Sequence, residues 1–254
     1  MKIRFLGTGT STGVPQVGCK CRVCRSEDPR DKRLRTSVMF TVSGKNILID
    51  CGPDFRQQML ASEVDNIDAV LLTHKHYDHI AALDELRLFS IDKGLPLYLE
   101  KSVSEVVRTH LPYCFSENPY PGVARFDVCE IDENPFVAVG IPITPIRVMH
   151  YNLPILGFRI EDTAYITDML TMPEEEYEKL QGLDILIINA LRHTGHVSHQ
   201  TLSDALSLVD RLKPHHTLLI HMSHDIGLHA EESCKLPDGV EFAYDGLEID
   251  SDSF

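Results

Sequence analysis

Cations are scarce in this sequence. It carries 24 lysines and arginines against 38 aspartates and glutamates, a net charge of −14 over 254 residues. Long nucleic acids are gripped mainly by Lys and Arg contacts to phosphate, so this balance argues against a polynucleotide partner. Acidic side chains that sit on metal ions would account for part of the deficit, because the formal charge ignores a bound cation. Also missing is any run of about 18 apolar residues able to span a bilayer. Met1-Lys2-Ile3-Arg4-Phe5-Leu6-Gly7 leads straight into a strand pattern, without the apolar core of a secretory leader. The expectation is a cytoplasmic protein with no membrane partner. Repeats, low-complexity tracts and linker-like segments are absent too. Residues 1–254 therefore read as a single domain, and 43% hydrophobic content gives it a substantial core.

An even set of cysteines is also lacking. There are seven, and three crowd into Cys19-Lys20-Cys21-Arg22-Val23-Cys24, too tight for a disulfide framework in a reducing compartment. Metal binding is the better reading of these three. Cys-x-Cys-x-x-Cys needs one more ligand to close a tetrahedral zinc site. His224 is the candidate, in His221-Met222-Ser223-His224. Cys51, Cys114, Cys129 and Cys234 are scattered and read as packing residues.

Apolar runs bounded by turn residues predict strands over Ile3 to Leu6, Ser37 to Val42, Asn46 to Asp50, Ala69 to Thr73, Pro96 to Leu99 and Phe136 to Val139. The second half repeats the pattern at Ile143 to Met149, Ile155 to Ile160, Ala164 to Thr167, Ile185 to Asn189, Thr217 to Ile220 and Val240 to Tyr244. Helical periodicity falls on Ile80 to Ser90, Val103 to Leu111, Glu174 to Leu180, Leu202 to Leu212 and His229 to Leu236. Strands dominating both halves, with helices interspersed, suit an α/β architecture of two packed mixed sheets with helices outside.

Four potential metal ligands occupy six residues in His74-Lys75-His76-Tyr77-Asp78-His79, directly after the strand that ends at Thr73. In an extended turn His74 and His76 point the same way, while Asp78 and His79 come round at the helix start, so two adjacent clusters are possible. Imidazole and carboxylate suit zinc, manganese or iron. Three more apolar runs end in a ligand-type residue, at His150, Asp168 and His221. Singly each is weak, because a lone His at a strand end is usually a hydrogen-bonded structural residue. Together the seven suffice for two metals that share one carboxylate. Two Lewis acids so bridged, roughly 3.5–4 Å apart, lower the pKa of a shared water towards neutrality. Asp50 reads as an outer residue that orients a ligand histidine.

With His-x-His-x-Asp-His at residues 74–79, the sequence resembles the metallo-β-lactamase superfamily over nearly its whole length. The resemblance implies an αββα sandwich, with His74, His76 and His150 on one divalent metal, zinc or manganese, and Asp78, His79 and His221 on the other. Asp168 would bridge them. Lactam-cleaving members generally alter the second-site ligands, and this chain retains Asp78, which argues against antibiotic cleavage. Gly7-Thr8-Gly9 followed by the tight cysteine cluster is similar to the branch of PhnP-like cyclic phosphodiesterases, and the cysteines also resemble PqqB. The PhnP-like branch implies a structural zinc at the cysteines and phosphodiester hydrolysis at the two-metal centre.

A phosphodiester leaving group needs a proton at its oxygen, so an acid belongs near the metals. His193, His196 and His199 are equal on chemistry alone, but His199 directly precedes the helix over Thr201 to Leu212. The resemblance to phosphodiesterases and to transfer-RNA 3′-end nucleases implies His199 as the acid, with Asp78 the other catalytic residue. The Arg30 to Arg35 run reads as a solvated basic face, and Gly7 to Gly13 as a tight turn bringing the first strand near the metals, since it lacks the Lys and spacing of a nucleotide-binding loop. The expected partner is a small phosphodiester, with a cyclic ribose phosphate foremost and a homodimer carried as an open option. Three other readings stand beside it: a transfer-RNA 3′-end endonuclease, a lactone or thioester hydrolase, and a PqqB-like biosynthetic protein.

Overall fold

The protein is described by a computed structural model, which covers residues 1–91 and 93–251. Fourteen strands lie in two seven-stranded sheets. The first sheet is built from β1 (Lys2–Gly7), β2 (Ser37–Val42), β3 (Lys45–Ile49), β4 (Ala69–Leu71), β5 (Leu95–Glu100) and β6 (Phe126–Ile131). The second comprises β7 (Phe136–Ala138), β8 (Ile141–His150), β9 (Leu153–Ile160), β10 (Thr163–Ile166), β11 (Ile185–Asn189), β12 (His216–Ile220) and β13 (Val240–Phe242). The chain then returns as β14 (Glu248–Asp250) to the free edge of β1.

Each sheet joins an antiparallel part to a parallel part. In the first, β3, β4, β5 and β6 run parallel; in the second, β10, β11, β12 and β13 do. Strands covered on both faces need continuous apolar sequence. Ile185-Leu186-Ile187-Ile188 of β11 and Thr217-Leu218-Leu219-Ile220 of β12 have it, and every residue in both strands is buried. Residues of one parity, such as Ile47, Leu71, Phe158, Ile187 and Leu218, fill the space between the sheets. The other parity packs outward under helices, Leu48, Val70 and Leu97 on one side and Leu186, Ile188 and Leu219 on the other. The result is the four-layer αββα sandwich expected from the sequence.

The helices are α1 (Phe55–Ser62), α2 (Tyr77–Ile80), α3 (Arg87–Ser90), α4 (Lys101–His110), α5 (Leu202–Leu212) and α6 (His229–Ser233). α5 has the clearest local logic. Thr201 and Asp204 form a reciprocal capping box at its start, Leu202, Ala205, Leu208 and Leu212 give it one buried face, and Lys213 in a left-handed conformation ends it just before Pro214. Elsewhere the expected elements shift. The helix read over Ile80 to Ser90 is α2, a 3-10 turn over Leu83–Leu86, and α3. Glu174–Leu180 is a 3-10 segment, and the last helix stops at Ser233. The sequence reading missed α1, whose Phe-Arg-Gln-Gln-Met-Leu-Ala-Ser run is too polar to show a stripe. It also missed β6, which borders only one strand and buries none of its residues fully. Among the described residues no helix is long and apolar enough to cross a membrane.

Candidate metal centre

The carboxyl ends of β3, β4, β8, β10 and β12 lie along one edge of the sandwich, and each delivers a side chain there. Apolar packing on both faces fixes where each strand stops, and a sharp backbone turn then redirects the next residues across the edge. Asp50, Asp168 and His221 all take left-handed φ values, 63°, 57° and 57°. Such conformations cost non-glycine residues roughly 1–3 kcal/mol each and persist where the surrounding structure over-determines them. Here two packed sheets impose them. His150 is the last residue of β8. After β4 the chain runs through Thr73 and His74 into α2, which carries Asp78 and His79.

All seven expected ligands meet at this edge. His74 Nε2 lies 3.0 Å from His76 Nδ1, and the His76 and His150 rings are 5.1 Å apart. On the other side, His79 Nε2 is 3.2 Å from Asp78 Oδ2. Asp168 stands between the two groups, with Oδ2 3.1 Å from His79 Nε2 and Oδ1 3.2 Å from His221 Nε2. His74, His79, Asp168 and His221 are each no more than 2% exposed.

The ring nitrogens show how these side chains fit cations. Asp50 takes two hydrogen bonds from Thr73, through N and Oγ1 at 2.9 Å each, and receives His79 Nδ1 at 2.7 Å. Thr73 Oγ1 in turn accepts from His74 Nδ1 at 2.9 Å, and His150 Nδ1 donates to the Ser198 carbonyl at 2.9 Å. With one nitrogen of each ring tied to an outer acceptor, the other faces inward and in the neutral ring is a free acceptor, which is how metal-bound histidines are oriented. His79 Nε2 is buried with no aligned hydrogen bond. His74 Nε2 and His76 Nδ1 lie only 3.0 Å apart, a separation that either a shared proton or a cation held between them satisfies. The charge balance agrees. Burial alone would lower the His79 pKa, yet Asp78, Asp168 and Asp50 together hold it well above the usual value. Burial would likewise raise Asp168, but His221 and His79 pull it well below the carboxylate range. Carboxylates this densely set among imidazoles call for positive charge, and the donor set fits divalent metal.

His199 stands beside this cluster. It is 8% exposed, its Nδ1 lies 3.6 Å from Asp168 Oδ1, and that nitrogen is buried without a hydrogen-bond partner. Burial lowers its pKa to about 3, with Asp168 acting against the shift. The His199 ring stacks on His221 at 4.9 Å, and His196 leans on it from outside at 5.1 Å. His193 faces elsewhere, with Nε2 3.0 Å from the Ile226 carbonyl and 3.2 Å from Glu232.

The second cluster gathers as expected. His224 Nδ1 lies 3.2, 3.4 and 3.3 Å from the sulfurs of Cys19, Cys21 and Cys24. A tetrahedral zinc with Zn–S of about 2.3 Å and Zn–N of about 2.05 Å separates its ligands by roughly 3.6 Å, so these residues fit one ion with small adjustment. A backbone hydrogen bond from Cys24 heads the causes that lower the Cys21 pKa to about 6, whereas burial pushes Cys24 up to about 11. Three loop cysteines thus share one histidine that sits three residues beyond His221.

Two expectations need correction. The Arg30 to Arg35 run is no solvated face: Arg33 is 4% exposed and donates to Thr8 Oγ1, the Ala243 carbonyl and His229 Nδ1, while Arg35 pairs with Asp54 at 2.9 Å. Cys234 is exposed rather than packed. The sequence reading also missed the hydroxyls that brace the ligands. Thr10 Oγ1 lies 3.2 Å from His221 Nε2, placed there by the Gly7 to Gly13 turn, and Thr167 Oγ1 donates to Asp168 Oδ2 at 2.8 Å. Their one visible signal was position, each beside a ligand or an expected turn.

Comparison with known proteins gives a consistent picture. Residues 45–222 match the family described as the β-lactamase superfamily domain. A solved structure of a new diphosphatase from the PhnP family superposes with a TM-score of 0.92 at 38% identity, covering 98% of this chain and 97% of that one. The octanoyltransferase of Porphyromonas gingivalis is 47% identical over 251 residues, 98% of this chain but 51% of that protein, so the chain spans about half its length. Coenzyme PQQ synthesis protein B of Cupriavidus taiwanensis is 27% identical, with 97% of this chain and 98% of that protein covered.

Proposed function

The chain belongs to the metallo-β-lactamase superfamily, in its PhnP-like branch, and as a metal-dependent hydrolase of that fold we propose that it cleaves a small phosphodiester, a cyclic ribose phosphate foremost. His74, His76 and His150 would hold one divalent cation and Asp78, His79 and His221 a second, with Asp168 shared. Cations so held supply Lewis acidity to the phosphoryl oxygens and a water activated for attack. The chain's own residues do the rest. Asp50 and Thr73 hold the His79 and His74 rings by their Nδ1 atoms, so that Nε2 of each faces inward. Ser198 does the same for His150 through its carbonyl.

His199 carries the reading. It is a buried imidazole with an unpartnered nitrogen 3.6 Å from Asp168, which supports a role as the acid for the leaving oxygen. Neutral in the resting site, it gains basicity when an anionic phosphoryl is drawn beside it, takes up a proton from water, and as imidazolium gives that proton to the departing oxygen, returning to the neutral ring. The net charge of −14 favours a small substrate over a polynucleotide, and Cys19, Cys21, Cys24 and His224 would hold a separate structural zinc. A second reading is favoured by the relative named octanoyltransferase: the same centre would hydrolyse a carboxylic thioester or lactone. The test is a metal-reconstituted panel of activated phosphodiesters, ribose cyclic phosphates, diphosphate esters, phosphomonoesters, lactones and thioesters, run beside His199→Ala. The proposal expects diester preference, with turnover of the diesters reduced about 100-fold or more in the variant. Faster turnover of thioesters or lactones would contradict it.

A further inference from the structure

Beside the metal edge lies a groove that the chemistry above does not use. It encloses about 330 Å³, at the small end of ligand cavities, which run to roughly 300–1,000 Å³. Its floor and far wall are aliphatic: Ile80, Ala81, Leu83, Val107 and Leu111. Tyr77 forms the near wall and His110 the outer rim. Tyr77 stands between the ligands His76 and Asp78, so its Cα is about 3.8 Å from theirs. An open depression of about 420 Å³ over the metal edge is lined by His76, His150, Tyr151, Asn152, Leu153 and Ser198. Consecutive residues, His76 and Tyr77, line the two concavities.

Tyr77 is 72% exposed, although its backbone is pinned: its carbonyl accepts from Ala81 N at 2.9 Å as α2 begins. A large ring on a fixed backbone, left mostly uncovered between a metal edge and an aliphatic groove, offers a stacking surface. We propose that this groove binds an aromatic ring of the substrate, a nucleobase or aryl group, while the phosphoryl lies on the metals. The inference rests on the phosphodiesterase reading and deepens it. No residue lining the groove carries a fixed charge, so an anionic phosphoryl entering it would lose water without gaining a counter-charge. The occupant is uncharged, and the substrate is polarised between a charged end and an apolar end. Tyr77 lines the groove together with the aliphatic Val107 and Leu111 of the α4 region, apolar surface suited to a ring, and His110 and the Tyr77 hydroxyl are its polar groups.

The experiment uses three diesters with one leaving group: the phenyl, methyl and octyl esters of 4-nitrophenyl phosphate. Their kcat/KM values are compared within each protein, so damage to the metals common to all three cancels. The native enzyme is expected to prefer phenyl over methyl about tenfold, the scale of one stacked ring, with the ratio near unity in Tyr77→Ala and restored in Tyr77→Phe. Independently, 2-naphthol is titrated into the metal-loaded full chain, which contains no Trp to obscure the probe's emission; Tyr77→Ala should raise its Kd about tenfold. If no diester is hydrolysed but naphthol binding still depends on Tyr77, the functional reading fails and the aromatic site stands. Hydrolysis with no ring preference, together with a Kd indifferent to Tyr77, overturns the site. An octyl ester preferred over phenyl also overturns it, since the slot would then accept an alkyl chain.

Discussion

The two ligand clusters are assembled on opposite plans. The histidine and aspartate centre collects residues 74 to 221 from the carboxyl ends of strands in both sheets, with the inter-sheet core directly beneath. The cysteine cluster takes three ligands from one loop and packs only a small apolar group, Val14, Val23 and Cys24 with Leu228, around them. Buried strands over-determine the backbone positions of the first. The second loop buries little and would draw its order from the ion itself, as small metal-bound modules do. One centre is built for chemistry on a rigid edge; the other would be a clasp, and His221 and His224, three residues apart, join them.

That contrast can be broken by substitution. The largest expected effect is on turnover: Asp168→Ala should reduce metal-dependent hydrolysis by about 1,000-fold or more, beyond the 10–100-fold typical of outer partners, with little change in melting temperature. Cys21→Ser should do the reverse. Denaturant unfolding should show about 3 kcal/mol lost, the upper end of ordinary single substitutions, with most hydrolysis retained; equal damage to both properties would dissolve the distinction. Next comes Asp50→Asn, which frees the His79 ring and should weaken active-site metal affinity about 10–100-fold by competition with a chelator.

The smallest effect concerns the loop's second anchor. Burial first, then Arg33 and Arg30, lower the His229 pKa to about 4, against about 6.5 in an unfolded chain. Between those values the unfolded chain binds more protons, so the stability from keeping His229 neutral is complete above about pH 6.5 and is lost as pH falls towards 4. His229→Gln should flatten the dependence of melting temperature on pH over that window. An unchanged slope would remove His229 from the account.

Much of this was legible in the sequence because strand-end ligands announce themselves: an apolar run that stops at His or Asp shows both the strand and its terminus. His224 was legible for a related reason, since its spacing from His221 put it at the same strand end. The supporting contacts were not. Thr10, Thr167 and the Ser198 carbonyl belong to residue types found everywhere, and only tertiary approach sets them against a ligand. Arg33 was misread for the opposite reason. A basic run usually faces water, and its burial depends on Ala243, His229 and Asp245, some 200 residues away in sequence. The Tyr77 groove was hidden because α4 supplies its far wall.

The account's central claim is that two independent metal-binding units share this chain, and elemental analysis of bound metal tests it most directly. Purified native protein should hold three ions per chain. Cys21→Ser should lose one zinc and keep the other two ions, while Asp168→Ala should lose active-site metal and keep the cysteine-bound zinc. A native count below three, or the same loss from both variants, would contradict it.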